Sequence, residues 1–313
     1  MTRVPTRSSN SGGVRVPIPV LVLFLSMLAG AAAWLIQDRM GAGRALSPPP
    51  GGELRVVSLS PAVTEVIFAL GAQDRLIAVS DYCVIPEDDS LLVRAGTALT
   101  PDYEALARLR PTHILAEESK QAPYQELSAI APTEMLPWLT LEDLIGSVLR
   151  IGDILDLEPT ARSLADRLRA KLDVEAPADG PRVLLAMAHT PGQLNECWFI
   201  RDNSIHGRAL RAAGARNAVP GEVHAVPRIS LERVLELDPD VILMISSDGD
   251  LPKGVGDQLV ADWKRMTPLT AVRNDRIGWV AGDSLFFTGP AAIRLADRLR
   301  DALERLGAEP SWN

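Results

Sequence analysis

The sequence predicts an α/β protein with two similar lobes, mainly parallel sheets and a helical region between the lobes. Three observations support this class: short apolar strands alternate with helices, one helix–strand unit occurs twice, and two consecutive helices separate the two sets. Strands that alternate with helices are typical of parallel sheets covered on both faces. Two lobes leave a cleft between them, and such clefts are common sites for small ligands.

The repeated unit occupies residues 104–115 and 232–243, which align without a gap at an offset of 128 positions. In each copy a Glu begins a short helix, a Leu lies five residues later, a Pro lies seven residues later, and an apolar strand follows. A fixed offset between such units indicates an internally repeated architecture. Because there are two copies, we expect one in each lobe.

The first lobe is predicted over residues 54–157. Ser60 is a candidate helix N-cap, Pro61 suits the first helical position, and Gly71 ends that helix. Apolar segments predict strands at 55–59, 76–79, 113–116 and 133–136, with further helices from residue 100, over 122–130 and over 141–155.

A helix over 158–178 is expected to connect the lobes, and Leu164, Leu168 and Leu172 repeat there at helical spacing. The second lobe is predicted over residues 179–313. Its predicted strands are 182–187, 241–245 and 277–280, and its predicted helices are 203–213, one capped by Ser230, and one that runs from Gly289 to residue 306.

The N-terminal region differs from the rest of the chain. A basic segment, 1–15, precedes an uncharged run of 21 residues, 16–36, and a Pro-rich linker, 37–53. As a helix the run would be about 31 Å long, which matches the hydrocarbon core of a bilayer. The basic side is expected to stay in the cytoplasm, so the lobes would be periplasmic or otherwise extracytoplasmic. Ala31–Ala33 offers a cleavage site, so a signal peptide and a retained membrane anchor both remain possible.

Composition excludes several classes of function. From residue 53 onward the chain has 27 Lys or Arg and 39 Asp or Glu, a formal charge of −12, so nucleic acid is not an expected partner. Four His occur without ligand spacing, so no metal site is expected. The chain has neither a G-x-S-x-G elbow nor a Gly-rich phosphate loop, and we expect no catalytic residues and no enzyme. Cys83 and Cys197 are too few for a disulfide scaffold, and whether they pair stays open.

Four segments of the first lobe carry a family resemblance when taken in order. They are residues 55–65, with Ser-Leu-Ser-Pro-Ala-Val-Thr-Glu, then 79–83, with Ser-Asp-Tyr, then 101–106 and 109–115. Together they resemble class III periplasmic substrate-binding proteins of ABC importers for cobalamin, ferric siderophores or haem, and especially the cobalamin-binding branch. The resemblance implies two Rossmann-like lobes joined by a single rigid long helix.

The resemblance also implies a role for the two repeated glutamates. In cobalamin-binding relatives an acidic residue at each matching position docks on arginines of the membrane permease, which here gives Glu104 and Glu232. Charge pairs of this kind steer association. The alternative is that each Glu only complements the dipole of its own helix.

Aromatic and His residues in loops are the candidates for ligand binding. Ligands of open α/β sheets bind beyond the carboxyl ends of strands, where flat rings could hold a corrin, a porphyrin or an aryl siderophore. The candidates are Tyr82, Trp138, His189, Trp198, Phe199, His224, Phe286 and Phe287. Ordinary packing is the alternative for each ring, and solvation is the alternative for each His.

The sequence therefore predicts the extracytoplasmic substrate-binding component of an ABC importer. Its ligand would be cobalamin, haem or a ferric siderophore, and its partners a permease and the ATPase subunits. The ligand would carry Co or Fe, while the protein itself is expected to need no cofactor. The alternative is a membrane-anchored sensory or scaffold module that keeps the fold without transport.

Overall fold

The computed structural model describes residues 53–86, 92–221, 227–246, 251–282 and 289–308. The predicted basic segment, the apolar run and nearly all of the linker lie outside these residues, as do His224, Phe286 and Phe287. Within the described part of the chain, none of the helices has the length and apolar character needed to span a bilayer.

The first lobe is a parallel five-stranded sheet with the strand order β3-β2-β1-β4-β5. The order reverses at β1, which pairs with β2 on one side and with β4 on the other. The strands are β1 Val56–Ser58, β2 Leu76–Val79, β3 Val93–Arg94, β4 His113–Glu117 and β5 Thr133–Leu136, and the helices are α1 Pro61–Ala69, α2 Tyr103–Leu109, α3 Tyr124–Ser128 and α4 Leu141–Ile154.

Helix α5, Glu158–Leu172, leads into the second lobe, which repeats the plan with the parallel order β11-β10-β6-β8. A separate antiparallel ribbon pairs β7 with β9. The strands are β6 Arg182–Met187, β7 Glu196–Trp198, β8 Arg216–Asn217, β9 Arg228–Ser230, β10 Val241–Ser246 and β11 Ile277–Ala281, and the helices are α6 Ile205–Ala212, α7 Leu231–Leu237, α8 Val255–Lys264, α9 Thr270–Arg273 and α10 Ala291–Arg305.

The connecting helix α5 is shorter than predicted, because it ends at Leu172 with Asp173 as its C-cap. It packs on α4 of the first lobe and on α6 and α10 of the second. Leu164, Leu168 and Leu172 form its buried face, as their spacing predicted. One hydrophobic core runs through this helix from the first sheet to α6 and α10, so the lobes share a core.

The repeated unit of the sequence is also a repeated unit of structure. Helices α2 and α7 have seven residues each, and the side chains of their N-caps, Asp102 and Ser230, each accept a backbone N–H bond, at 2.9 and 3.3 Å. Both helices end in a left-handed residue, Arg110 with φ 49° and Asp238 with φ 40°. Strands β4 and β10 follow and pair with β1 and β6.

Candidate ligand-binding site

The carboxyl ends of two strand pairs mark the place where a ligand is expected. In each lobe the strand order changes direction, between β1 and β4 in the first and between β6 and β10 in the second. In open α/β sheets a crevice forms outside the strands at this point and receives the ligand. Ser60 and Glu117 lie there in the first lobe, and His189 and Ser246 in the second.

Ser60 does not cap α1 with its side chain, although its backbone is extended as an N-cap requires. Its hydroxyl donates instead to Oε2 of Glu117, at 3.3 Å. Burial raises the pKa of the Glu117 carboxyl, and the hydrogen bond from Ser60 opposes part of that rise. The crevice of the first lobe therefore carries a carboxyl group that takes up a proton more readily than an exposed glutamate.

Tyr82 is presented to solvent by a braced loop after β2. Its side chain is 71 % exposed. The guanidinium of Arg94 donates to the carbonyls of Ser80 and Cys83, at 2.8 and 2.7 Å, and holds the backbone on both sides of the ring. A rigid loop with an exposed aromatic ring can contact a flat ligand without first being ordered.

Trp138 differs from the sequence-based expectation. It is 2 % exposed and lies in the shared hydrophobic core. The cause is the contact between its loop and α4, where the Ser147 hydroxyl donates to the Pro137 carbonyl at 2.8 Å. The next residue, Leu139, is 73 % exposed, so this loop offers an aliphatic group to solvent and no ring.

The side chains of Trp198 and Phe199 point to opposite sides of the ribbon, because side chains alternate along an extended chain. Trp198 is 42 % exposed, whereas Phe199 is buried in the core of the second lobe. The Phe199 N–H donates to the Pro227 carbonyl at 2.9 Å, which fixes this alternation. The guanidinium of Arg228 lies 5.8 Å from the centre of the Trp198 ring. Only Trp198 of this pair can offer a ring to a ligand in this structure.

His189 follows β6 and is held by a buried carboxylate. Its Nε2 lies 3.1 Å from Oδ2 of Asp262, which also accepts a bond from the Gly192 N–H at 2.6 Å. Burial raises the pKa of Asp262, but these two bonds and the charge of Arg265 outweigh burial and lower it overall. Asp262 is therefore an ionised acceptor that orients the imidazole.

His189 also lies between two adjoining pockets of the second lobe. One, of about 360 Å³, is lined by Met187, Ile245, Ser246 and residues of α8. The other, of about 300 Å³, is lined by Leu194, Trp198 and Trp263. The Trp263 ring meets the His189 ring edge-on at 6.4 Å between centroids. The carboxyl end of β6 therefore combines one oriented imidazole with apolar walls.

The two candidate docking residues occupy equivalent places. Glu104 and Glu232 are both exposed, and each is the second residue of its helix, α2 or α7. Hydrogen bonds from the Ser230 side chain and from its own backbone N–H lower the pKa of Glu232, which favours the charged carboxylate. The arrangement gives each lobe one exposed acidic side chain in the same position.

The two cysteines are separate buried thiols. Cys83 lies 3.1 Å from the Thr64 hydroxyl in the first lobe, and burial raises the pKa of Cys197 in the ribbon to about 12. Neither thiol is activated as a nucleophile. The described residues contain no cluster of three or more His, Cys, Asp or Glu side chains placed to hold a metal ion.

Comparison with known proteins identifies the family. Residues 56–278 match the model of the family described as Periplasmic binding protein. The chain belongs to this family. Family membership confirms the resemblance found in the sequence and the expectation that the protein is a binding protein and not an enzyme.

Individual relatives agree with the family. The chain is 25 % identical over 239 residues to a vitamin B12-binding protein of Yersinia pseudotuberculosis, covering 74 % of this chain and 82 % of that protein. A periplasmic heme-binding protein of Vibrio cholerae is similar in structure, with a TM-score of 0.67, 23 % identity and coverage of 80 % and 99 %. An ABC transporter substrate-binding protein of Listeria monocytogenes has a TM-score of 0.65, 18 % identity and coverage of 80 % and 98 %. These similarities confirm the predicted two-lobed α/β fold.

Proposed function

We propose that this periplasmic binding protein is the substrate-binding component of an ABC importer for cobalamin or another metal chelate, such as haem or a ferric siderophore. The ligand would lie between the lobes, and the loaded protein would dock on the permease. The observation that carries the proposal is that both lobes expose an aromatic ring just after a strand, Tyr82 after β2 in the first lobe and Trp198 at the end of β7 in the second.

The exposed rings suit a flat, partly apolar ligand. Covering roughly 100 Å² on each of the two rings, at about 25 cal/mol per Å², contributes about 5 kcal/mol before the costs of association are subtracted. Leu139, after β5, and Met187, at the end of β6, add exposed apolar surface at other strand ends. The vitamin B12-binding relative supports cobalamin as the first ligand to test.

His189 would supply the polar contact of the site. Because Nε2 is engaged by Asp262, a ligand would meet the ring through Nδ1. A carboxylate behind an imidazole fixes the orientation of the ring, which suits a nitrogen that binds a metal or an acidic edge of a ligand. His224, Phe286 and Phe287 stay candidates from the sequence for the same surface.

Docking would use Glu104 and Glu232 as two separate contacts, one on each lobe. Two exposed carboxylates, one on each of two lobes that share a core, offer two separate contacts to basic residues of a permease. Because the core continues through α5, the lobes would not open widely alone. The work of separating them for release would come from the ATPase subunits of the partner. Residues 16–36 would tether the protein to the membrane.

Ligand binding is tested with the full chain, purified in detergent and titrated separately with cyanocobalamin, haemin and a ferric siderophore while tryptophan fluorescence is followed. At least one ligand is expected to bind with a submillimolar or lower Kd. Trp198→Ala should weaken that binding, whereas Trp279→Phe, in the middle of β11, should not. Absence of binding by all three ligands would contradict the proposal.

Docking is tested by uptake of the ligand in cells that carry the permease. The double variant Glu104→Gln/Glu232→Gln should keep ligand affinity within about twofold and lose most uptake. Glu236→Gln, an exposed carboxylate on the same helix α7, is the matched control and should transport normally. Normal uptake by the double variant would favour the sensory or scaffold alternative over docking through these residues.

A further inference from the structure

A carboxyl group from the first lobe is enclosed at the boundary with the second. Glu65 projects from α1, and its Oε1 accepts a 2.9 Å bond from the guanidinium of Arg294 on α10. The side chain of Glu65 is 16 % exposed, while that of Arg294 is 61 % exposed. The acid is therefore enclosed by the contact between the lobes, whereas its partner stays in water.

The second oxygen of Glu65 has a different environment. Oε2 is buried and accepts no hydrogen bond from the residues that the structure describes. It lies against Gly289, where an added Cβ atom would overlap with it, so the carboxyl occupies the space that a side chain at this position would take. The backbone N–H of Ala291, at the start of the 15-residue helix α10, is near enough to lower the pKa of the carboxyl, but it does not bond to Oε2.

Burial dominates the electrostatics of this carboxyl. It raises the pKa of Glu65 from 4.5 to about 7, although the charge and hydrogen bond of Arg294 and the Ala291 N–H act in the opposite direction. Arg294 is the charged group that acts on it from α10. Glu117, at the end of β4, accepts a hydrogen bond from the hydroxyl of Ser60, the residue before α1. It is a second carboxyl with its own partner.

The coupling between protonation of Glu65 and separation of the lobes has a direction that follows from thermodynamic linkage. If the lobes separate, Glu65 enters water and its pKa returns towards 4.5, so the apposed lobes bind the proton more tightly than the separated lobes. This contribution to apposition is fully present below pH 4.5 and is lost as the pH rises through about 7. A shift of that size changes the opening equilibrium on the order of 100-fold.

We propose that Glu65 is a proton-binding group of the lobe boundary, so that proton uptake favours apposed lobes and proton loss favours separated lobes. This coupling makes the distance between Glu104 and Glu232 depend on pH. It stands on the contact between α1 and α10 and needs neither the ligand nor the permease.

The test measures the distance between the lobes directly. Ala107→Cys and Leu235→Cys place one spin label on each repeated helix, at exposed and equivalent positions, while the native thiols are buried. Double electron–electron resonance on the full chain in detergent, without ligand, is recorded between pH 5 and 9. Longer distances are expected to gain population as the pH rises through about 7.

Three variants assign the transition to Glu65. Glu65→Gln keeps the shape and cannot ionise, so its distances should stay short at every pH. Arg294→Met removes the charge that opposes proton binding, so the midpoint should move to higher pH. Glu117→Gln should behave like the parent.

Each of the other outcomes contradicts the proposal. A distance distribution that does not change with pH in the parent would overturn it, as would a transition that persists in Glu65→Gln. Loss of the transition in Glu117→Gln would assign the proton to the other carboxyl. If Glu65→Gln does not fold, the direction of the Arg294→Met shift decides, since an unchanged or lowered midpoint would contradict the assignment.

Discussion

The two lobes share one scaffold and differ at the ends of their strands. In each lobe an arginine at the start of the first strand donates to the carbonyl that ends the repeated helix. Arg55, just before β1, donates to Leu109 at 2.7 Å, and Arg182, the first residue of β6, donates to Leu237 at 2.8 Å. The backbone N–H groups of the same arginines donate to Thr112 Oγ1 at 2.9 Å and Asp240 Oδ2 at 2.8 Å.

The parts proposed to face the ligand show no such correspondence among the described residues. The first lobe presents Tyr82 on a loop braced by Arg94, whereas the second presents Trp198 on an antiparallel ribbon beside the His189–Asp262 pair. The duplicated contacts therefore hold the amino ends of the first strands, whereas the residues after the carboxyl ends differ between the lobes. The residues proposed to bind the ligand therefore lie in the parts of the lobes that do not repeat, whereas Glu104 and Glu232 lie in the repeated unit.

The largest predicted effect on stability comes from a substitution in the ribbon of β7 and β9. Phe199→Ala removes a buried ring and should lower the free energy of unfolding by about 3–5 kcal/mol. Trp198→Ala, the adjacent exposed position, should change it by less than about 1 kcal/mol and weaken ligand binding about tenfold. Urea unfolding and fluorescence titration measure the two effects. Equal destabilisation by both variants would contradict the alternation of the ribbon.

A change in α5 tests whether the lobes share one core. Leu168→Ala should cost about 3 kcal/mol, and both lobes should still unfold in one transition. Urea unfolding is followed by circular dichroism and by tryptophan fluorescence. The exposed neighbour Arg167→Ala is the control and should stay within about 0.5 kcal/mol of the parent. Two resolved transitions in the parent would show that the cores are independent.

The second lobe should depend on the charge of Asp262. Asp262→Asn should lower stability at pH 7 by about 1–3 kcal/mol, because the Gly192 N–H and His189 lose a charged acceptor. Because the pKa is lowered from 3.8 in the folded protein, this contribution is fully present above pH 3.8 and declines as the pH falls below 3.8 towards the lowered pKa. Urea unfolding at pH 7 and pH 3 should therefore show a larger difference between variant and parent at pH 7. The same difference at both values would contradict this role.

The smallest effect concerns the duplicated arginines. Arg182→Ala should destabilise by about 1–2 kcal/mol and slightly more than Arg55→Ala, because Arg182 also donates to the Asp238 carbonyl at 3.3 Å. Ligand affinity should not change in either variant. Differential scanning calorimetry and titration of both variants measure this. Weakened ligand binding in either would place the scaffold contacts within the binding surface.

Much of the fold followed from local signals. Strands β2, β5 and β6 were predicted at their observed bounds, and prolines adjoin two of them: Pro132 and Pro137 flank β5, and Pro181 precedes β6. The elements that were not predicted have weak local signals: β3 has two residues and exists through its pairing with β2, and α8 begins at Gly254 in a left-handed conformation without a side-chain cap. Such elements are fixed by tertiary contacts, which a single sequence does not display.

The candidate site could be predicted only in part for the same reason. The position of Tyr82 after a strand indicated an exposed ring, but the position of Trp138 in a similar loop gave no sign that α4 covers it. The pairing of His189 with Asp262 spans 73 positions and follows no motif. Alternation of side chains places Trp198 and Phe199 on opposite sides of the ribbon, but this segment was not predicted as a strand.

The structure of the protein in complex with its bound chelate tests the central claim most directly. The proposal predicts one ligand between the lobes, in contact with both Tyr82 and Trp198 within about 4 Å. A ligand that touches one lobe only, or that binds in the groove beside Trp279 and Arg305, would contradict it.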